Sequence, residues 1–208
     1  MNSALFRWPP LVGTVLLATL LWGVTFYSTW GNFWLKISFS AALLAVLSLW
    51  LPAGKKMRLK FDTRSFLMGL SSAAVLYLIF WAGKHTSRML FPFAEYQIGS
   101  IYDKGQGTPV WLIAGLLLFL TGPCEELYWR GYLQHNLMQR LGNRQGFLWT
   151  TIVYAGVHVW SFNLMLIGAA AVAGAFWGLM YWRWGNLAPV IVSHAIWSAV
   201  IFTFLPMS

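Results

Sequence analysis

The sequence has 208 residues, of which 59% are hydrophobic and 9% charged, and its mean hydropathy is +0.63. A soluble globular domain carries roughly 25% charged residues, so this composition excludes an ordinary soluble domain and indicates a polytopic membrane protein. The net charge of +9 comes mostly from short loops, which favours membrane topology and lipid contact over nucleic-acid binding. Cys124 is the single cysteine, so an intrachain disulfide is excluded.

The apolar segments predict the fold class, because a crossing needs about twenty residues. We expect an all-α fold, a polytopic membrane helical bundle of about seven (6–8) transmembrane helices. The predicted spans are 11–30, 33–51, 65–83, 109–122, 146–160, 164–182 and 187–205. The fourth span can run on as a helix to about Leu141, making it long, tilted or broken at Pro123. Residues 1–208 then form a single integral membrane domain, with a functional core at about 110–205 and accessory N-terminal helices in 1–108.

Basic residues predict the orientation in the membrane. Loop 52–64 holds the strongest basic cluster, and the positive-inside rule places it in the cytoplasm. The N-terminus then falls on the same side, and loop 84–108 falls outside. The basic residues assigned to the cytoplasmic side are Arg7, Lys55, Lys56, Arg58, Lys60, Arg64, Arg140, Arg144 and Arg183.

Small residues dominate one predicted helix, 168–178, in which Gly174 and Gly178 form a GxxxG pattern. Small side chains let helix backbones approach closely in lipid, so this helix is expected at the centre of the bundle. Packing within the chain is the favoured use of the pattern, and a homodimer through it is the alternative.

Two adjacent acids, Glu125 and Glu126, lie in the longest apolar stretch of a chain with only five acidic residues. A carboxylate at bilayer depth costs on the order of 2.5–3.5 kcal/mol on insertion scales, so the pair is a candidate functional site. Glu126 and Arg130 are four residues apart on one helix face and can form an ion pair. Glu125 is rotated by about 100° and can face another partner. A plainer interpretation stays open, in which Pro123 and the acids merely start an interfacial helix.

Two of the four histidines, His158 and His194, also lie in apolar segments, whereas His85 and His135 are expected at the membrane surface. A lone histidine in a helix is most often a packing residue. Two of them on separate helices, in a chain that also buries a Glu pair, suggest that the groups meet.

Neighbours one helical turn away support that interpretation. Tyr154 can fix the ring of His158, and His194 with Ser198 would offer two donors from one face. A carboxylate, an imidazole and a donor pair are the groups needed to activate water and to stabilise an oxyanion.

These residues resemble three motifs of the CPBP family, which comprises type II CAAX prenyl endopeptidases, bacteriocin-processing proteases and Abi proteins. The family has EExxxR, FxxxH and HxxxN or HxxxD motifs on successive membrane helices. Here they correspond to Glu125 through Arg130, Tyr154 through His158 and His194 through Ser198. The resemblance covers about residues 110–205. Two positions depart from the pattern, with Tyr154 for Phe and Ser198 for Asn or Asp, and Asn163 or Asn186 could compensate for the second.

The resemblance implies a glutamic-type intramembrane endopeptidase without a metal or other cofactor. Glu125 with His158 would activate water, His194 with Ser198 would hold the oxyanion, and Glu126 with Arg130 would orient the site. The substrate would be a membrane-embedded or lipidated peptide or protein, recognised within the membrane or at its cytoplasmic face. We expect the chain in a bacterial or archaeal cytoplasmic membrane.

Other functions stay open on the sequence alone. Two His and a Glu could hold zinc in a membrane hydrolase, although the HExxH pattern is absent. Cys124 could serve a thiol protease. Buried Glu and His also occur in proton relays, so a proton-coupled carrier or a non-proteolytic scaffold or immunity protein is the alternative from another class.

Overall fold

A computed structural model describes residues 8–51 and 57–207, and every regular element in these ranges is helical. The helices are α1 (Trp8–Tyr27), α2 (Phe33–Trp50), α3 (Thr63–Leu90), α4 (Ala94–Tyr102), α5 (Val110–Leu141), α6 (Asn143–Gly156), α7 (Leu164–Trp184) and α8 (Ala188–Phe204). A 3₁₀ turn, Val157–Ser161, prolongs α6. The prediction of an all-α polytopic bundle is confirmed.

Within the described ranges, five helices are long and apolar enough to cross a membrane, namely α1, α2, α3, α5 and α7. The predicted spans 146–160 and 187–205 are also helical, but α6 has 14 residues and α8 is among the shorter apolar helices. The fourth span does run on to Leu141, as the sequence suggested.

The expected loop 84–108 is largely helical, which corrects the sequence prediction. Helix α3 continues to Leu90, and the nine-residue α4 follows it. His85 therefore lies within α3 and not in a loop, with its Nδ1 2.8 Å from the carbonyl oxygen of Trp81. Charged residues interrupt the apolar pattern in this stretch, so hydropathy alone does not indicate a helix here.

Side-chain caps explain where several helices begin. Asp62 accepts a hydrogen bond from the Ser65 amide at 2.8 Å and starts α3, while Asn163 accepts one from the Leu166 amide at 2.9 Å and starts α7. Helix α7 ends at Gly185, whose φ of +59° is a left-handed conformation that favours glycine.

Polar contacts hold neighbouring segments together at each end of the bundle. At one end, which we name the basic face, Asn186 exchanges hydrogen bonds of 2.9 Å with the backbone of Lys60. The residues that define this face are Arg58, Lys60, Arg64, Arg140, Arg144 and Arg183. The N-terminus with Arg7, and also Lys55 and Lys56, were predicted on this side but lie outside the described residues.

At the other end, which we name the α4 face, α4 holds the neighbouring segments. Asn163 donates hydrogen bonds to the Gln97 carbonyl at 2.7 Å and to Ser100 Oγ at 3.1 Å. The backbone amide of Met207 donates to the Tyr102 hydroxyl at 2.9 Å. The ends of α6 and α8 are thereby fixed on the side away from the basic face.

Two glycines let α8 lie close to its neighbours. A Cβ on Gly122 of α5 would lie 2.9 Å from Ala195 Cα, and a Cβ on Gly69 of α3 would lie 2.5 Å from Val192 Cβ. Close backbone approach of this kind is how helices associate in lipid. It holds α8, and with it His194, against the middle of α5.

Candidate active site

Glu125 and Glu126 lie halfway along α5, fifteen residues or more from its first residue, Val110. The helix continues through Pro123, and the preceding turn, Leu117–Thr121, has π-helical hydrogen bonding in which the Gly122 amide donates to the Leu117 carbonyl. The interpretation of the acids as a helix start is therefore wrong. A second π-helical segment, Leu127–Gln134, follows the acids, and such departures from α geometry are frequent at functional sites.

Glu126 is fully buried and joins two helices. Its Oε1 accepts a hydrogen bond from Arg130 Nη1 at 2.7 Å and lies 2.6 Å from Nδ1 of His194 on α8. The predicted Glu126–Arg130 ion pair is thus confirmed. Its Oε2 has no hydrogen-bond partner within the described residues. An ionised carboxylate at this depth needs a cation, which Arg130 supplies.

Arg130 is buried as completely as its partner. Its Nη2 donates to the Gly174 carbonyl at 3.1 Å, and its guanidinium lies 4.7 Å from the ring centroid of Tyr154 and 5.5 Å from that of Trp177. Two aromatic faces around a guanidinium add cation–π stabilisation. The ion pair is consequently held between α5, α6 and α7.

The GxxxG glycines pack within the chain, which confirms the favoured use of the pattern. A Cβ on Gly174 would lie 2.8 Å from Tyr154 Cδ1, and one on Gly178 would lie 3.1 Å from Gln134 Oε1. The Gly178 carbonyl also accepts a hydrogen bond from Gln134 Nε2 at 2.8 Å. A homodimer through these glycines stays a prediction.

Glu125 points to a different partner from Glu126, as the helical rotation predicted. Its Oε2 accepts a hydrogen bond from the Tyr154 hydroxyl at 3.2 Å. Tyr154 stands where the family pattern has Phe, and its hydroxyl makes a contact that Phe cannot make. That hydroxyl orients the carboxylate from α6.

His158 lies in the turn that prolongs α6. Its Nδ1 is 2.8 Å from the Tyr154 carbonyl oxygen, and its Nε2 accepts the indole N–H of Trp22 at 3.4 Å. Its ring also packs near Tyr154 and Phe26, with centroid separations of 5.3 and 5.6 Å. The described residues include no direct hydrogen bond between His158 and Glu125, although both face one cavity.

His194 is fixed by stacking as well as by Glu126. Its ring lies parallel to that of Trp177, with centroids 3.8 Å apart, and Trp177 is held in turn by an N–H···Oγ hydrogen bond of 3.1 Å to Ser193. Because Nδ1 faces Glu126, Nε2 is the nitrogen available to other partners. Ser198, one turn further along α8, is buried and faces the same cavity.

A cavity of about 460 Å³ brings these groups together. Its inner end is lined by Glu125, Tyr154, His158, His194 and Ser198. The remaining walls are largely aromatic and aliphatic. Lys104 stands at the outer end, over the rings of Phe26 and Phe33 at 5.8 and 5.2 Å, and burial lowers the pKa of its ammonium group.

Several sequence candidates lie elsewhere. Asn163 and Asn186 do not line the cavity and serve as structural ties on opposite faces, so the suggestion that either compensates for Ser198 is wrong. His135 accepts or donates a hydrogen bond of 2.8 Å with the Tyr181 hydroxyl, also away from the cavity. Cys124 is a half-buried free thiol that is not among the cavity residues.

No group of three or more His, Cys, Asp and Glu that could hold a metal ion occurs in the ranges 8–51 and 57–207. The zinc alternative stays a prediction. Metal analysis of the purified protein addresses it.

Two contributors were missed by the sequence analysis. Trp22 on α1 and Trp177 on α7 contact the two imidazoles, yet both lie in uniformly apolar helices where nothing separates them from other tryptophans. The contact of the Tyr154 hydroxyl, by contrast, was predictable from the sequence, because a buried tyrosine hydroxyl usually forms a hydrogen bond with a nearby polar group.

Comparison with known proteins identifies the segment that carries the site. No curated protein and no solved structure matches the chain. Residues 107–200 match the family described as type II CAAX prenyl endopeptidase Rce1-like, a family of peptide hydrolases. This segment contains all three motifs and every residue at the inner end of the cavity. The match of residues 107–200 to the type II CAAX prenyl endopeptidase Rce1-like family confirms the resemblance that the three motifs indicated.

Proposed function

We propose that the chain is an intramembrane endopeptidase that cleaves a membrane-associated peptide or protein with a water molecule activated by Glu125. One observation carries the proposal, namely that Glu125, His158, His194 and Ser198, from three helices, line the same end of one apolar cavity. The family match of residues 107–200 supports the reaction class, peptide hydrolysis.

Glu125 serves as the proton carrier in this proposal. Its carboxylate takes a proton from water as the water oxygen bonds to the scissile carbonyl carbon. The C–N bond then breaks, and the same proton passes from Glu125 to the leaving nitrogen. The Tyr154 hydroxyl donates a hydrogen bond to one carboxylate oxygen of Glu125 and orients it. The polar imidazole of His158 lies beside the water.

His194 and Ser198 serve as the oxyanion donors. Because Nδ1 of His194 faces the Glu126 carboxylate, Nε2 would donate to the oxyanion with the ring as an imidazolium. With Glu125 and Glu126 ionised, Arg130 and a protonated His194 balance them. The net charge of the four groups is then zero, which favours their burial, because an uncompensated charge is costly in the interior.

Membrane proteomics tests the proposal. Cells producing the wild-type chain, Glu125→Gln or Glu95→Gln are compared by mapping new protein C-termini in membrane fractions. Glu95 is an exposed acid outside the cavity, so its variant is the matched control. We expect the new C-termini produced by the wild-type chain to fall by about 10²-fold or more in Glu125→Gln, because loss of a general base lowers the reaction rate by about 10²–10⁴-fold. Unchanged termini in a stably inserted Glu125→Gln protein would remove the proteolytic function and favour a carrier or scaffold.

A further inference from the structure

Among the described residues that line the cavity of the candidate site, the exposed ones all lie along one line. The lining residues around Glu125 and His194 are buried, and those beneath α4 are half-buried. The exposed lining residues all belong to α3 and α7. They are Ile79, Gly83, Leu164, Gly168 and Val172.

These exposed residues mark an opening between two helices. Helix α3 packs mainly against α8 and touches α7 much less. A Cβ added at Gly83 or at Gly168 would meet no heavy atom within 4 Å, so both helices leave open space there. Every exposed side chain at this opening is aliphatic or absent, which suits lipid or an apolar peptide segment.

The opening lies in the half of the bundle nearer the α4 face. Ile79 and Gly83 are in the second half of α3, which runs from the basic face towards α4. Leu164, Gly168 and Val172 are in the first half of α7, which begins beside α4 at Asn163. The cavity thus extends from the site towards the α4 face and away from the basic face.

The charges of the two faces assign this half to a leaflet. The basic face carries Arg58, Lys60, Arg64, Arg140, Arg144 and Arg183 against Asp62, whereas the α4 face carries Lys36, Lys84, Arg88 and Lys104 against Glu95 and Asp103. The positive-inside rule places the face with the larger basic excess in the cytoplasm. The opening between α3 and α7 then faces the opposite leaflet.

We propose that the substrate enters laterally from the extracytoplasmic leaflet, through the opening between α3 and α7, by means of an apolar anchoring segment. The scissile bonds are those near the extracytoplasmic end of that segment. This inference rests on the proposed endopeptidase function, and it differs from the cytoplasmic access that the sequence suggested.

Two glycine variants test the route. Gly168→Phe puts a ring into the opening, and Gly115→Phe is the matched control, since Gly115 also has open space around its Cβ but does not line the cavity. We expect Glu125-dependent C-termini to fall at least about tenfold in Gly168→Phe and to stay within about twofold in Gly115→Phe, because a blocked path prevents near-attack placement of the peptide. Equal effects of the two variants would overturn the route.

Cysteine labelling tests the leaflet, in a Cys124→Ser background. Tyr96→Cys in α4 should react with a membrane-impermeant maleimide in intact spheroplasts, and Leu59→Cys on the basic face should react only in inverted vesicles; both native side chains are exposed. The reverse pattern, or termini that map to the cytoplasmic ends of substrate anchors, would overturn the extracytoplasmic assignment.

If no termini depend on Glu125, the proposed endopeptidase function fails, and this inference fails with it. If the termini depend on Glu125 but not on Gly168, only the inference fails.

Discussion

The family-matched segment and the N-terminal helices contribute different things to one cavity. Residues 107–200 supply its carboxylate and both of its imidazoles, whereas α1, α2 and α3 supply walls such as Phe26, Trp34 and Phe80. The reacting groups must hold fixed distances, but many apolar side chains of similar volume can build a wall. This difference explains why a recognisable pattern covers one part of the chain and stops short of the helices that enclose it.

The largest contrast is expected between two arginines, one in each region. Arg130→Met should lower the free energy of unfolding by about 3–5 kcal/mol, because it leaves the fully buried Glu126 without its cation. Arg88→Met breaks an exposed ion pair with Glu95 and should cost about 1 kcal/mol or less. Reversible unfolding in detergent micelles or bicelles measures both. Similar losses for the two variants would contradict the account of a buried charge cluster confined to one region.

A smaller contrast is expected between two glycines. Gly122→Ala places a Cβ 2.9 Å from Ala195 Cα and should cost about 1–3 kcal/mol as α8 is pushed from α5. Gly13→Ala in α1 meets no atom within 4 Å and should leave stability unchanged or raise it by up to about 1 kcal/mol. The same unfolding assay applies. Tolerance of alanine at Gly122 would show that α5 and α8 are further apart than the site requires.

Loss of one hydroxyl should have a more modest effect. Tyr154→Phe removes the hydrogen bond to Glu125, which is worth about 0.5–1.5 kcal/mol, so the rate should fall by up to about tenfold. Tyr96→Phe changes an exposed phenol in α4 and should leave the rate unchanged. Initial rates on a substrate found by C-terminal mapping give the comparison. A faster Tyr154→Phe enzyme would mean that the hydroxyl restrains Glu125 and does not assist it.

The smallest effect belongs to the N-terminal region and depends on pH. Hydrogen bonds from Ser65 lower the pKa of Asp62, which caps α3, from its ordinary value to about 2. A carboxyl with a lowered folded-state pKa stabilises the fold above its unfolded-state pKa, and loses that contribution as the pH falls towards 2. The difference in Tm between the wild type and Asp62→Ala should therefore be constant above about pH 5 and shrink below about pH 4. A difference that grows on acidification would contradict the cap.

Sequence patterns anticipated the features that depend on short separations along one helix. The Glu126–Arg130 ion pair and the proximity of Tyr154 to His158 follow from the helical repeat alone. Every described helix except α4 was also predicted from apolar length. Charged residues at 84–108 interrupt the apolar pattern, so hydropathy did not indicate α4 or the end of α3.

Contacts between distant helices were beyond the same patterns. Trp22 reaches His158 across 136 residues, and Tyr154 reaches Glu125 from another helix. Such contacts depend on how closely backbones approach, which is set at positions like Gly122 and by π-helical turns that shift the rotation of α5. The prediction that Asn163 or Asn186 compensates for Ser198 was wrong for this reason, since both amides lie at the ends of the bundle.

The most direct test of Glu125-activated hydrolysis uses purified protein in proteoliposomes and a peptide identified by C-terminal mapping. Turnover is measured for the wild type, with and without a zinc chelator, and for Glu125→Gln and Cys124→Ser. We predict that Glu125→Gln lowers turnover by about 10²-fold or more, whereas Cys124→Ser and the chelator leave it unchanged. Turnover that survives in Glu125→Gln, or that is lost with the chelator or in Cys124→Ser, would contradict a glutamate-based site and assign the chemistry to a metal or a thiol.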